Sequence, residues 1–178
     1  SGEALQAFDT RATHFLHEAM ISHGFSPPNI IKDFDTGYTH WRYQDPNKGP
    51  RTGLDPSDNY PLAFYVADYI PGGVERRLKE GRIFTSEEAL HIGRQVGDAL
   101  EALHNASPQV LHLDLNPGNI RLAEDGRAIV ADFGVARIEG VPGAYLTAEG
   151  PQIHRGISAP EQFTGEAPDV RTDIFQFG

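Results

Sequence analysis

Residues 112–134 read HLDLNPGNIRLAEDGRAIVADFG and decide the fold of this chain. The segment holds a polar loop from Asp114 to Asn119, an Asp-Gly pair at Asp125-Gly126, and a further carboxylate at Asp132. The Pro-Gly pair inside the loop favours a tight reversal, and Asp-Gly between two short apolar runs is a strong hairpin signal. A hairpin of this length returns its second strand to the loop. The pattern therefore predicts that two carboxylates and one carboxamide face one cavity.

These three side chains suit a magnesium-dependent reaction at a phosphate. Mg²⁺ prefers oxygen ligands, and Asn119 with Asp132 would leave positions for phosphate oxygens and water. Asp114 would then orient a hydroxyl nucleophile. Each residue alone has an ordinary explanation as a loop cap. Their order and spacing together are far more specific.

The residues before this segment predict a helix and two strands. Apolar side chains recur at helical spacing over residues 4–20, and Gly24 supplies a stop. Strands are predicted at 30–35 and 62–70, because β-favouring residues cluster there. The intervening residues 37–60 are rich in Pro, Gly, Asp and Asn, so a long exposed loop is expected.

A longer helix is predicted directly upstream of the polar loop. Thr85 and Glu88 have the spacing of a capping box. The apolar residues that follow recur along one helical face as far as Leu103, and Pro108 lies beyond the end. A short helix is expected over 74–79.

Composition limits the classes of function. The 178 residues are 39% hydrophobic and 22% charged, which is typical of one folded domain. A net charge of −10 argues against a nucleic-acid partner. No apolar run approaches the ~20 residues of a membrane helix. The absence of Cys suits a reducing compartment, so a cytoplasmic location is expected.

Taken together, the motifs resemble those of eukaryotic-like (Hanks-type) serine/threonine protein kinases. Residues 112–119 are similar to the catalytic loop of that family, and 132–134 to its magnesium loop. Ala159-Pro160-Glu161 resembles the end of the activation segment. Residues 171–178 resemble the start of the central helix, in which Asp173 would brace the catalytic loop.

The resemblance implies an α+β, two-lobed fold that is incomplete at both ends. Residues 1–70 would form part of the small lobe, with an insertion at 37–60 and a hinge at about 67–71. Residues 71–178 would form part of the large lobe. The Gly-rich loop and the lysine strand of the family would precede the first residue, and further helices would follow the last.

The resemblance also implies the site residues, with ATP and Mg²⁺ as cofactors and a protein as the substrate. The implied catalytic residues are Asp114, Asn116 and Asn119. The implied metal ligands are Asn119 and Asp132. The implied nucleotide-binding residues are Glu18, Ala67, Asp68, Tyr69, Ile70, Asn119 and Asp132. Glu18 would pair with the upstream lysine, and Ala67 would be a small gatekeeper.

Three departures from the family pattern keep alternatives open. Leu113 stands where an Arg is usual, Asn116 where a Lys is usual, and His154 near where a Thr is usual. The leading hypothesis is a protein serine/threonine kinase. A pseudokinase that binds nucleotide is the second. A small-molecule kinase of the aminoglycoside or choline type is the third, although the Ala-Pro-Glu motif weighs against it.

Overall fold

A computed structural model of the chain describes residues 29–42, 59–140, 154 and 156–178. The helix predicted over 4–20, with Glu18, lies outside the described residues. The described elements, in chain order, are β1 (Asp33–Arg42), β2 (Asn59–Ala67), α1 (Val74–Lys79), α2 (Ser86–His104), β3 (Val110–Leu111), a 3₁₀ turn (Pro117–Asn119), β4 (Ile120–Leu122), β5 (Ala128–Val130), β6 (Arg137–Ile138), α3 (Pro160–Thr164) and α4 (Val170–Phe177). Helices and small antiparallel sheets together confirm the α+β class.

Strands β1 and β2 form an antiparallel pair that corrects the sequence prediction. Their register runs from Asp33 opposite Ala67 to Arg42 opposite Asn59. The loop expected over 37–60 is therefore wrong at both ends, and the strand expected to reach residue 70 ends at Ala67. The polar composition of residues 37–60 concealed the β-favouring aromatic and β-branched residues among them. Pairing between β1 and β2 satisfies the backbone hydrogen bonds of both strands.

Helix α2 is the centre of the described core. Its predicted capping box is confirmed, because the Thr85 side chain accepts from the Glu88 N–H while the Glu88 side chain accepts from the Thr85 N–H. One face of the helix packs on β3 and β5. The fully buried residues of that face are Val96, Ala99, Leu100 and Leu103.

The predicted hairpin is also confirmed, as strands β4 and β5, and the chain before β1 is fastened to it. Asn29 accepts from the Val130 N–H at 2.8 Å through its backbone oxygen. The Asn29 amide donates to the Ala128 oxygen at 2.9 Å and to Gln95 Oε1 at 3.0 Å. These bonds join three distant parts of the chain. The hairpin is therefore held rigidly at the strand that leads to Asp132.

Residues 68–73 link β2 to α1, and the predicted lobe boundary at residue 70 falls within this link. That boundary stays a prediction. In the part of the chain that the structure describes, every helix is too short or too polar to cross a lipid bilayer.

We expect Leu103→Ala to lower the free energy of unfolding by about 2–5 kcal/mol, because it leaves a cavity in the core. Leu103 has no exposed surface, whereas Leu90 on the same helix is 64% exposed. Leu90→Ala is thus the matched control, with an expected change within about 0.5 kcal/mol. Chemical denaturation measures both, and equal losses for the two variants would contradict the packing of α2.

Candidate active site

The polar loop after β3 is fixed by one buried carboxylate, Asp173 of α4. Asp173 Oδ1 accepts from the Leu113 N–H at 2.7 Å, and Oδ2 accepts from the His112 N–H at 2.9 Å. His104 Nε2 lies 2.8 Å from the same Oδ2. Asp173 is fully buried, and these donors offset the cost of burying its charge. The bracing role implied for Asp173 thus has a direct physical basis.

Leu113 adopts an unusual backbone conformation at the centre of this loop. Its φ is +64°, in the left-handed region that costs a branched residue of order 1–3 kcal/mol. Its side chain is buried. The two bonds from Asp173 hold the two peptides that precede this strained residue and keep the loop in one conformation.

A glutamine pair completes the support of the Leu113 peptide. The amide nitrogens of Gln162 and Gln176 both donate to the Leu113 carbonyl oxygen, at 2.9 Å and 3.1 Å. Gln176 also donates to Gln162 Oε1 at 3.0 Å and accepts from the Leu115 N–H at 3.0 Å. Sequence reasoning missed both glutamines, because a lone Gln carries no spacing signal.

Gln162 also fixes the end of the segment that precedes α3. Its Oε1 accepts from the Ala159 N–H at 2.9 Å, which caps the first turn of the helix. Its amide then reaches the polar loop. A single buried side chain therefore connects the Ala-Pro-Glu motif to the loop that carries Asp114.

Asn119 and Asn116 both hydrogen-bond to Asp114 and set its orientation. Asn119 Nδ2 donates to the Asp114 backbone oxygen and to its Oδ2, each at 2.8 Å. Asn116 Nδ2 donates to the same backbone oxygen at 3.0 Å, and Asn116 Oδ1 accepts from the Gly118 N–H at 2.8 Å. Since Asn119 donates through its nitrogen, its amide oxygen is directed away from Asp114. That oxygen is then suitable as a ligand for a hard cation.

The electrostatic environment of Asp114 is mixed. Burial raises the pKa of its carboxyl above the ordinary value, whereas the charge of His154 and the hydrogen bond from Asn119 oppose that rise. His154 Nε2 lies 3.4 Å from Asp114 Oδ1. The His154 backbone N–H donates to Ser158 Oγ at 2.9 Å, so the backbone that carries the imidazole is anchored next to α3.

Asp132 lies on the adjacent loop, at the end of β5. Its φ is +68°, its side chain is exposed, and its Oδ1 accepts from the Gly134 N–H at 3.3 Å. The next residue, Phe133, is buried and packs on His112 with the ring centroids 5.0 Å apart. The turn therefore directs Phe133 into the core and Asp132 outward.

Two contacts tie the loop of Asp132 to the loop of Asp114. The Ala131 N–H donates to the Asn119 backbone oxygen at 2.9 Å. His112 bridges the loops through its ring, because Nδ1 accepts from the Asp114 N–H at 3.3 Å and Nε2 lies 3.3 Å from the Ala131 oxygen. The two loops are thus adjacent, whereas the convergence of the Asp114, Asn119 and Asp132 side chains on one cavity stays a prediction.

A cleft of about 480 Å³ opens beside Asp132. Its lining residues are Ile31, Ala67, Asp68, Tyr69, Ile70, Pro71, Arg121, Ala131 and Asp132. Four of the residues expected to bind nucleotide, 67–70, form one wall. The Asp68 N–H donates to the Lys32 oxygen at 2.9 Å, which fixes this wall to the residue before β1.

The donor set fits a magnesium ion that a phosphate ligand shares. Among the described residues, no group of three or more His, Asp or Glu side chains lies close enough to hold a metal ion alone. One carboxylate from Asp132 and one amide oxygen from Asn119 would leave most of an octahedral shell to phosphate and water.

Comparison with known proteins bears on the nature of this site. Residues 4–178 match the protein kinase domain family. A probable serine/threonine-protein kinase of Streptomyces coelicolor is 30% identical over 166 residues, which is 92% of this chain and 22% of that protein. Serine/threonine-protein kinase PknB of Mycolicibacterium smegmatis is 29% identical over 169 residues, which is 92% of this chain and 24% of that protein. The chain thus spans about a fifth to a quarter of the length of these relatives.

We expect Gln162→Leu and Gln176→Leu each to lower the free energy of unfolding by about 1–3 kcal/mol, because buried polar groups lose their partners. Their effects should not add, since both amides bond to one carbonyl oxygen. Chemical denaturation of the single and double variants measures the coupling.

Gln109→Leu is the matched control for the glutamine pair. Among the described residues, the Gln109 amide donates to the His104 oxygen alone, at 2.9 Å, and it does not bond to the Leu113 carbonyl. The loss of unfolding free energy caused by Gln109→Leu should add to the loss caused by Gln176→Leu. Strict additivity within the Gln162–Gln176 pair would show that the two side chains act independently and would refute the shared support.

Proposed function

The chain belongs to the protein kinase domain family, and we propose that it is the catalytic region of a serine/threonine protein kinase. The proposed reaction transfers the γ-phosphoryl group of ATP to a hydroxyl group on a protein. One observation carries the proposal: Asn119 Nδ2 bonds to Asp114 Oδ2 at 2.8 Å, on a loop joined to that of Asp132 beside the cleft.

The cleft is proposed to bind the nucleotide. Backbone groups of Asp68, Tyr69 and Ile70 would hydrogen-bond to the edge of the adenine base. Ala67, which has the smallest side chain of residues 67–70, would leave space behind the base. Glu18 is proposed to pair with the lysine that contacts the phosphates in this family.

Catalysis would depend on positioning and charge neutralisation, as in other phosphoryl transfers. Asn119 and Asp132 would hold Mg²⁺, which when bound offsets the negative charge of the phosphates. Asp114 would accept a hydrogen bond from the substrate hydroxyl and orient it for attack. The bond from Asn119 fixes the carboxylate for that task.

The second candidate is a pseudokinase, and one observation favours it. The Asn116 amide is engaged within its own loop, with Asp114 and Gly118, where a Lys of the family would contact the transferred phosphate. Loss of such a charge costs about 2–4 kcal/mol in the barrier, by analogy with removal of one oxyanion donor. Asp114, Asn119 and Asp132 support the active kinase. The small-molecule kinase is a weaker alternative, because Gln162 links the Ala-Pro-Glu motif to the catalytic loop.

Partners and location follow from the same reaction. The proposed partners are ATP and a protein substrate, and the net charge of −10 speaks against nucleic acid. We propose a cytoplasmic location, since ATP is supplied there and the chain holds no Cys.

Two substitutions test the proposal in the full-length protein. Asp132→Asn should abolish Mg²⁺-dependent ATP binding, because the carboxylate ligand is lost. Asp114→Asn should retain ATP binding but lower transfer to a protein substrate by about 10²–10⁴-fold. Calorimetric binding and a radiolabel transfer assay measure the two effects.

Asp125→Asn is the matched control, because Asp125 is exposed at the hairpin turn and pairs, within the described part of the chain, with Arg127 alone. It should change neither binding nor transfer. Magnesium-dependent ATP binding without transfer to any protein would favour the pseudokinase. Unimpaired transfer by Asp114→Asn would refute the proposed mechanism.

The transfer rate should depend on the protonation of Asp114. Because burial raises the pKa of this carboxyl, the rate should fall with decreasing pH at a midpoint above the ordinary Asp value. The sign follows from the acceptor role: only the carboxylate accepts the hydroxyl proton. His154→Gln should move the midpoint to still higher pH, since the His154 charge lowers this pKa. The pH profile of kcat measures the shift, and a midpoint displaced to lower pH would contradict it.

A further inference from the structure

One cation lines the cleft among the residues described there, and neither the motifs nor the proposed mechanism uses it. Arg121 lies on β4, and its side chain is exposed. The other lining residues are apolar or acidic, apart from Tyr69, and the acidic ones are Asp68 and Asp132. An arginine in the wall of a base-sized cleft is available to a ligand.

Contacts with the residues after the hinge fix the direction of the Arg121 side chain. Arg121 forms an isolated antiparallel bridge with Gly73, and the Leu122 N–H donates to the Gly72 oxygen at 3.2 Å. A Cβ added to Gly73 would lie 3.9 Å from both Cδ and Nη1 of Arg121. The arginine therefore lies across Gly73, which leaves space for it because it has no side chain. This contact holds the guanidinium at the hinge end of the cleft.

Asp132 lies at the opposite end of the cleft from the hinge. Arg121 pairs with Ile129 across the hairpin, and Asp132 follows Ile129 by three residues. At about 3.3 Å per residue of extended chain, the backbone of Asp132 lies about 10 Å from that of Ile129. The metal and phosphates would lie beside Asp132, so the guanidinium is nearer to the base than to the phosphates.

Among the described residues, no carboxylate holds the guanidinium away from a ligand. Arg76, Arg82, Arg127 and Arg171 form salt bridges with carboxylates. Arg121 forms none with any carboxylate in the parts of the chain that the structure describes. A planar, weakly hydrated guanidinium stacks readily on an aromatic face.

We propose that Arg121 contributes to nucleotide affinity by stacking its guanidinium on the face of the purine base. The inference rests on the proposed nucleotide binding in the cleft and deepens it. The hinge backbone would contact the edge of the base and Arg121 its face. The ligand class is a purine nucleoside triphosphate.

Equilibrium binding to the full-length protein tests the inference with three probes: Mg-ATP, adenosine and magnesium tripolyphosphate. Arg121→Ala should weaken the binding of ATP and of adenosine by the same factor, about 2- to 30-fold from the range of cation–π energies. It should leave tripolyphosphate binding unchanged. Arg121→Lys should recover only part of the loss, because an ammonium group keeps the charge but not the plane.

Arg127→Ala is the matched control, since Arg127 is exposed on the same hairpin and paired with Asp125. It should bind all three probes as the wild type does. If Arg121→Ala weakens ATP and tripolyphosphate but spares adenosine, the arginine contacts phosphate and the stacking inference is overturned. The stacking inference is also overturned if Arg121→Ala leaves adenosine binding unchanged although the wild-type protein binds ATP. The proposed function then stands. A wild-type protein that binds neither ATP nor adenosine overturns both.

Discussion

The buried carboxylate of Asp173 holds the catalytic loop in shape. It bonds to two consecutive backbone N–H groups of that loop and to His104 at the end of α2. Buried charges persist only when their hydrogen bonds are satisfied, so this contact admits one arrangement of α2, α4 and the loop between β3 and β4. The strained Leu113 backbone, and with it the position of Asp114, depends on that arrangement.

A second layer of polar contacts joins the activation-segment end to the same loop. Gln162 and Gln176 bond to the Leu113 carbonyl, while Asp173 bonds to its N–H. Both backbone polar groups of Leu113 are thus satisfied from α3 and α4. Leu113 buries its side chain where the family usually has an Arg that a phosphorylated activation loop can bind. The Ala-Pro-Glu end is connected to the loop through an uncharged amide instead.

Charge is distributed unevenly around the cleft. The chain is acidic overall, and Asp68 and Asp132 both line the cleft. In the proposed mode of binding, a polyphosphate beside Asp132 would depend on Mg²⁺ to reduce repulsion. Arg121 supplies positive charge at the other end, where a base would lie.

The sequence alone determined the features that depend on neighbouring residues. The capping box of α2 and the Asp-Gly hairpin are local, and both are confirmed. The order of the motifs was sufficient to indicate the kinase family. Glu18 lies outside the described residues, and the roles of Asp114, Asn116, Asn119 and Asp132 stay predictions.

Tertiary structure decided what depends on distant partners. The strand β1 extends to Arg42 because β2 pairs with it, against the polar composition that predicted a loop. Gln162 contacts Leu113, which is 49 residues away in the sequence. Arg121 lies across Gly73 because a bridge pairs strand β4 with the residue before α1. No local pattern encodes such contacts, since their energy arises only when the chain has closed on itself.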